Sequence, residues 1–306
     1  MRVCALSVEM IYREQAQMDA LNKLTVFLGL KRSVAALLVI VILLGLGEKM
    51  AERFLPLYLV VLGGGALAVG LLNGMNNLLG ALYSLPAGWA SQRFGYKRAL
   101  MAFNFMAMAG YLIVIVFPSW LAVIAGAALF LSWTAVSLPA SMDLVSSSLP
   151  KEKRTMGVSM HSLIRRIPMA AGPLLGGLFI GAFGVSTGIR LAFIFAFALA
   201  GMAIVTQYFF ITEPPKAKSS EDSMLSAFKL ISPELRSLLI SDILTRFCEQ
   251  IPYAFVVIWC VTLNGITPFQ FGILTAVEMI TSMLIYIPVA YLADKGWENL
   301  HFALDT

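Results

Sequence analysis

Gly88-Trp89-Ala90-Ser91-Gln92-Arg93-Phe94-Gly95-Tyr96-Lys97-Arg98-Ala99-Leu100 is a short basic stretch set between two long apolar runs. Hydrocarbon excludes its cations Arg93, Lys97 and Arg98, so the stretch reads as a connection at a membrane surface. Apolar runs long enough to cross ~30 Å of hydrocarbon flank it at 67–91 and 99–117. Working outward, comparable runs recur at 34–62, 120–142, 156–182, 190–211, 237–263 and 269–292. The expected fold class is an all-α membrane protein of eight helices.

Composition points the same way. The chain has 306 residues, 59% of them apolar or aromatic and 13% charged, with a mean hydropathy of +0.84. That charge is about half the ~25% of a soluble domain, too little to cover a surface in water. An ordinary soluble enzyme and a disordered chain are both excluded. A net charge of +5 raises nucleic acid as a partner, but the cations are segregated. They gather in the N-terminal arm 1–33, in the quoted stretch, at Lys151, Lys153 and Arg154, and at Lys216, Lys218, Lys229 and Arg236. The intervening connections hold none, with Arg190 at the edge of one. This alternation implies a multi-pass protein of the plasma (inner) membrane with a cytoplasmic N-terminus, and no nucleic-acid partner. The arm lacks the apolar core of a signal peptide. Cys4, Cys248 and Cys260 have no metal-ligand spacing, and no metal or other cofactor is expected.

The longest connection, 212–236, contains Thr-Glu-Pro-Pro-Lys-Ala-Lys-Ser-Ser-Glu-Asp-Ser (212–223), which cannot pack as core. It divides a six-helix unit at 34–211 from two helices at 237–292 and an off-pattern tail at 293–306. The two parts share a weak repeat. Gly70, Asn76 and Pro86 have the spacing of Gly272, Glu278 and Pro288, and Glu52-Arg53-Phe54-Leu55-Pro56 parallels Glu249-Gln250-Ile251-Pro252.

In its place between the second and third helices, the quoted stretch resembles the loop signature of the major facilitator superfamily, G-x-x-x-D-R-x-G-R-K-x-x-L. Gly88, Arg93, Gly95, Lys97 and Leu100 match, while Gln92 and Tyr96 depart from it. A degenerate second copy begins at Ala290-Tyr291-Leu292-Ala293-Asp294-Lys295, and Asp143 and Gly172-Pro173-Leu174-Leu175-Gly176-Gly177 look like further family landmarks. The resemblance implies a bundle with a complete six-helix N-terminal half and two helices of a C-terminal half. The family's plan has twelve helices, so a C-terminally truncated chain is expected. It also implies a cytoplasmic gate loop formed by Gly88, Arg93, Gly95, Lys97 and Arg98, with Asp143 as their acidic partner, and a helix-five motif at Gly172, Pro173, Gly176 and Gly177 that permits close helix approach.

Charges inside the spans are the candidate functional groups, because each costs ~2.5–3.5 kcal/mol near the bilayer centre. Glu48, Glu52, Asp242, Glu249 and Glu278 face Lys49, Arg53, Arg165, Arg166 and Arg246 in number, which points to a polar cavity with internal pairing. Asp242, Arg246 and Glu249 are spaced so that both acids reach one guanidinium. They read either as a proton-linked pair or as a permanent buried ion network. Glu48 or Glu52 is a proton or substrate contact. Glu278 is a proton carrier or a partner for Arg165 or Arg166, and those arginines bind a substrate anion or neutralise Glu48 or Glu52. No nucleotide-hydrolysis or catalytic motif is present, so an enzyme is not expected.

Together these features imply a secondary transporter of a small organic solute working by alternating access. Proton coupling and efflux by antiport are favoured over sugar or carboxylate uptake. The rival reading is a non-transporting remnant or scaffold in the lipid bilayer. Oligomeric state does not follow from the residues.

Overall fold

The computed structural model describes residues 32–131, 133, 154–211 and 232–285, and every regular element among them is a helix. In chain order these are α1 (Arg32–Glu52), α2 (Leu55–Val61), α3 (Gly65–Phe94), α4 (Tyr96–Val116) and α5 (Trp120–Leu131). Then come α6 (Arg154–Phe183), α7 (Val185–Phe210), α8 (Pro233–Ile258) and α9 (Pro268–Ile285). A π turn, Trp259–Leu263, extends α8. Most of the N-terminal arm and central loop, the second half of the fourth expected helix, the degenerate second loop copy and the off-pattern tail lie outside the described residues.

Among the boundaries that differ from the expected spans, two have a clear local reason. The first span is not one helix. It breaks at Arg53 and Phe54, where Phe54 N–H turns back to Ala51 O at 3.0 Å, and Pro56 then sits in the first turn of α2. Proline has no N–H to continue α1 but is well suited to starting a helix. The sixth helix starts five residues early, because Gly184 alone makes the corner between α6 and α7 at φ +80°. Gly95 does the same between α3 and α4 at φ +87° and ψ +150°, a backbone conformation that side chains bearing a Cβ avoid. The second glycine of the loop signature is therefore a hinge of covalent geometry.

The early start of α7 moves Arg190 from a loop edge into the helix. There its guanidinium donates to Ile115 O, at the C-terminal end of α4, at 2.8 Å. At the opposite end of the same pair, Lys97 of α4 donates to Tyr208 O in the last turn of α7 at 2.8 Å. Terminal carbonyls of a helix lack intrahelical partners and attract cations. Each of these two helices thus caps the other.

α1 lies against α6 and α7, α4 against α7, and α8 against α2 and α3. Leu37, Ile40, Met50, Phe54 and Tyr58 from α1 and the start of α2 are fully buried. Tyr111, Phe130 and Phe193 close the core from α4, α5 and α7, with ring centroids 5.3–5.9 Å apart. Outside, the bundle exposes Leu67, Leu78, Phe105, Leu121 and Phe209, as a lipid-facing surface does. Among the described residues, five helices are long and apolar enough to cross a membrane.

Candidate functional site

The interruption of α1 places four charged groups beside a cavity of about 300 Å³. Lys49, Glu52 and Arg53 line it, together with Leu55, Pro56, Val69 and Leu72 from α2 and α3. α3 adds Asn73, Asn76 and Asn77, α6 adds Met169 and Pro173, α8 adds Gln250, Tyr253 and Val257, and α9 adds Thr275 and Met279. The cavity therefore lies between the six-helix unit and the α8–α9 pair.

Its charges are paired internally. Lys49 Nζ bonds the carboxylate of Glu52 and lies 3.5 Å from that of Glu48, whose side chain is 4% exposed. Arg165, on α6, stands within electrostatic reach of Lys49 but makes no ion pair among the described residues. One turn of α1 holds Lys49 between Glu48 and Glu52, and it pairs with both. Arg53 crosses to the other side of the cavity. Its Nη2 lies 3.4 Å from Glu278 Oε2 on α9, and its guanidinium stacks 3.8 Å from the Tyr253 ring centroid on α8. Arg53 Nε is buried and has no hydrogen-bond partner among the described residues. Among the described residues the ion-pair partner of Glu278 is Arg53, and Arg166 is half-buried on α6.

The amides form a second row. Asn73 Nδ2 donates across the cavity to Gln250 O at 2.9 Å, and Asn77 Nδ2 donates to Asn73 O at 3.0 Å. The Asn76 amide, the Gln250 side-chain amide and the Tyr253 hydroxyl make no hydrogen bond among the described residues.

Asp242, Arg246 and Glu249 lie elsewhere. Arg246 Nε donates to Asp242 Oδ2 at 2.8 Å, with both side chains more than half exposed, and Glu249 is exposed as well. Asp242 and Arg246 form an exposed pair with Glu249 within electrostatic reach of Arg246, where a buried triad is one of the two expected readings. Neither Asp242 nor Arg246 lines the cavity.

The glycines of α6 set how closely its neighbours approach. A Cβ on Gly172 would stand 2.7 Å from Lys49 Cβ, and one on Gly177 would stand 2.9 Å from Phe269 Cα. Gly176 lies directly against Met50 O. Pro173 O in turn meets Gly272 of α9, where a Cβ would stand 2.5 Å away. α6 is consequently packed backbone to backbone with α1 on one side and α9 on the other.

The sequence profile of the Major Facilitator Superfamily matches residues 37–303. The chain belongs to this superfamily. Its fold is shared with solved members at low identity. A bacterial homolog of the human lysosomal transporter Spinster, inward-facing and unoccupied, matches with a TM-score of 0.71 at 16% identity, over 86% of this chain and 62% of that one. The POT family transporter PepTSo matches with a TM-score of 0.52 at 12% identity, over 83% and 52% of the two chains. A peptide transporter POT in complex with sulfate matches with a TM-score of 0.52 at 17% identity, over 87% and 52%. The chain thus spans between half and two-thirds of the length of these structures. No curated protein sequence matches it. Within the superfamily bundle, the described part comprises helices of a six-helix N-terminal half and the first two helices of the C-terminal half.

The superfamily loop is only partly described. Arg93 and Arg98 are exposed, and Lys97 is held by Tyr208 O. Gly88 lies in α3 and Asp143 lies outside the described residues. Sequence reasoning passed over the asparagines of α3, because amides carry no charge signal. The repeat held one: Asn73 and Asn77 correspond, at the same offset, to Thr275 and Met279, which line the cavity, and Asn76 to Glu278, which pairs with Arg53.

Proposed function

We propose that the chain is the solute-handling part of a secondary transporter that moves a small organic solute by alternating access, coupled to protons and running as an efflux antiporter. The proposed arrangement is a cytoplasmic N-terminus in the plasma membrane, a six-helix half at 34–211, a cytoplasmic connection at 212–236 and the start of a second half at 237–292. The observation that carries this reading is the 300 Å³ cavity between the two parts. Two polar links cross it, Arg53 to Glu278 and Asn73 to Gln250. Pockets for small molecules begin at about this size and have mostly apolar walls with a few placed polar groups. Links of this kind can break and reform as two rigid parts rock about a bound solute.

Protons enter the scheme through the acids. Neutralising Glu278 releases Arg53, and neutralising Glu48 or Glu52 leaves Lys49 with one partner. Either event changes which side of the cavity the cations hold. The exposed Asp242, Arg246 and Glu249 are assigned no part in solute contact. The loop cations Arg93, Lys97 and Arg98 act at the cytoplasmic gate, where Lys97 bridges the ends of α4 and α7.

The test is whole-cell accumulation of a radiolabelled panel of small organic solutes, in cells expressing the chain or an empty vector, with and without a protonophore. Lower accumulation that reverses when the gradient collapses is the expected result. Unchanged accumulation on collapse would remove proton coupling, and raised accumulation in energised cells would reverse the direction. No difference from vector for any solute favours the non-transporting scaffold.

A further inference from the structure

We infer, resting on the cavity being the solute site proposed above, that its solute is uncharged: an amide- or hydroxyl-bearing group on an apolar body. Three features of the cavity carry this. Its charges are already committed, because Lys49 is shared by Glu48 and Glu52 and Arg53 is tied to Glu278. Arg165 stands within electrostatic reach of Lys49 but is not among the lining residues. A net charge brought onto this lining must displace a resident ion or stay uncompensated in a medium of low dielectric.

The aromatic face that would receive a cationic head is also taken. The Arg53 guanidinium lies 3.8 Å from the Tyr253 centroid, so a second cation there would meet a like charge. An anion would have to compete with Glu278 for Arg53.

Apart from the Arg53 Nε–H, the groups left unpaired at the cavity among the described residues are neutral. The amides of Asn76 and Gln250 and the hydroxyl of Tyr253 offer donors and acceptors. Arg53 Nε is a buried donor with no partner among the described residues, open to a carbonyl or hydroxyl oxygen. Opposite them, Leu72, Leu131, Met169 and Val257 supply an apolar wall. A site of unpaired hydrogen-bonding groups discriminates strongly against ligands that leave them unpaired.

The experiment uses the full chain in lipid nanodiscs and three probes with one phenyl body: phenylacetamide, phenylacetate and phenethylammonium. Binding is read by calorimetric titration, with empty nanodiscs as the reference for partition into lipid. Phenylacetamide is expected to bind at least about tenfold more tightly than either ion. Asn76→Leu, matched in size, is expected to remove that preference. Asn77→Leu is a second variant should the first fail to fold, and the ranking of probes on the unaltered chain decides the matter without either. An ion bound as tightly as the amide overturns the uncharged class while leaving the cavity as a solute site. Binding of none of the three overturns the cavity as a solute site and the transport reading with it.

Discussion

The end of α1 and the middle of α8 carry similar sequences, acids and bases one turn apart inside an apolar span, and meet opposite fates. On α1, Glu48 and Lys49 are covered by α6 and α7, and the cluster edges a cavity. On α8, Asp242 and Arg246 pair in the open, with side chains 54% and 70% exposed. Spacing along one helix specifies which charges can meet; neighbouring helices decide whether the meeting is costly. A charge cluster in a span is informative about function only where a second element closes over it.

The sharpest way to test this contrast is to remove the cation from each cluster. Lys49→Met leaves Glu48 and Glu52 facing each other with Glu48 buried, and is expected to cost about 3–5 kcal/mol, as losing one partner of a buried ionic set does. The readout is the melting temperature of the purified chain in detergent. Arg246→Met in the same assay is expected to leave it unchanged. Equal losses from the two variants would break the comparison.

A second contrast uses the repeat. Gly70 and Gly272 occupy corresponding places on α3 and α9, yet a Cβ on Gly70 meets nothing within 4 Å while one on Gly272 meets Pro173 O at 2.5 Å. Gly272→Ala is expected to destabilise by about 1–3 kcal/mol through overpacking. Gly70→Ala is expected to be neutral or to stabilise by up to about 1 kcal/mol, since alanine restricts the unfolded chain more. Similar melting temperatures for the two would mean that α9 does not rest on α6 by its backbone.

Much of the fold was legible because hydropathy and glycine act locally. The apolar runs marked each helix, and Gly95 of the quoted stretch marked a corner that only its backbone freedom allows. The break after Glu52 needed more than hydropathy, since the run 34–62 is continuous and only Pro56 hinted at an interruption. The site was legible in part. Glu48, Glu52 and Glu278 stood out as charges, but their partners did not. Lys49 serves two carboxylates and Arg53 reaches a residue 225 positions away. Such pairing depends on how helices cross, which no spacing along the chain encodes. Asn76 gave no electrostatic signal at all, although it sits where its repeat partner Glu278 does.

The link across the cavity is expected to have a smaller effect than either cluster. Arg53→Gln and Glu278→Gln, made singly and together, should show a coupling of about 0.5–3 kcal/mol, the range for residues in one ion pair. The exposure of Glu278, at 46%, places it toward the low end. Strictly additive losses would mean that the two parts are not joined there.

The reciprocal caps of α4 and α7 should be weaker still and, unlike the cavity link, independent of each other. Lys97→Ala and Arg190→Ala each remove one bond to a terminal carbonyl, at Tyr208 and Ile115, worth about 0.5–1.5 kcal/mol. They lie at opposite ends of a helix of 21 residues, which at ~1.5 Å per residue sets them about 30 Å apart, well past the ~10 Å within which side chains couple. Their melting-temperature losses should therefore add in the double variant. A double loss larger than the sum would show that α4 and α7 slip as a unit once both ends are freed. The seam inside the six-helix unit would then be a sliding surface, as the proposed alternating access makes the cavity junction.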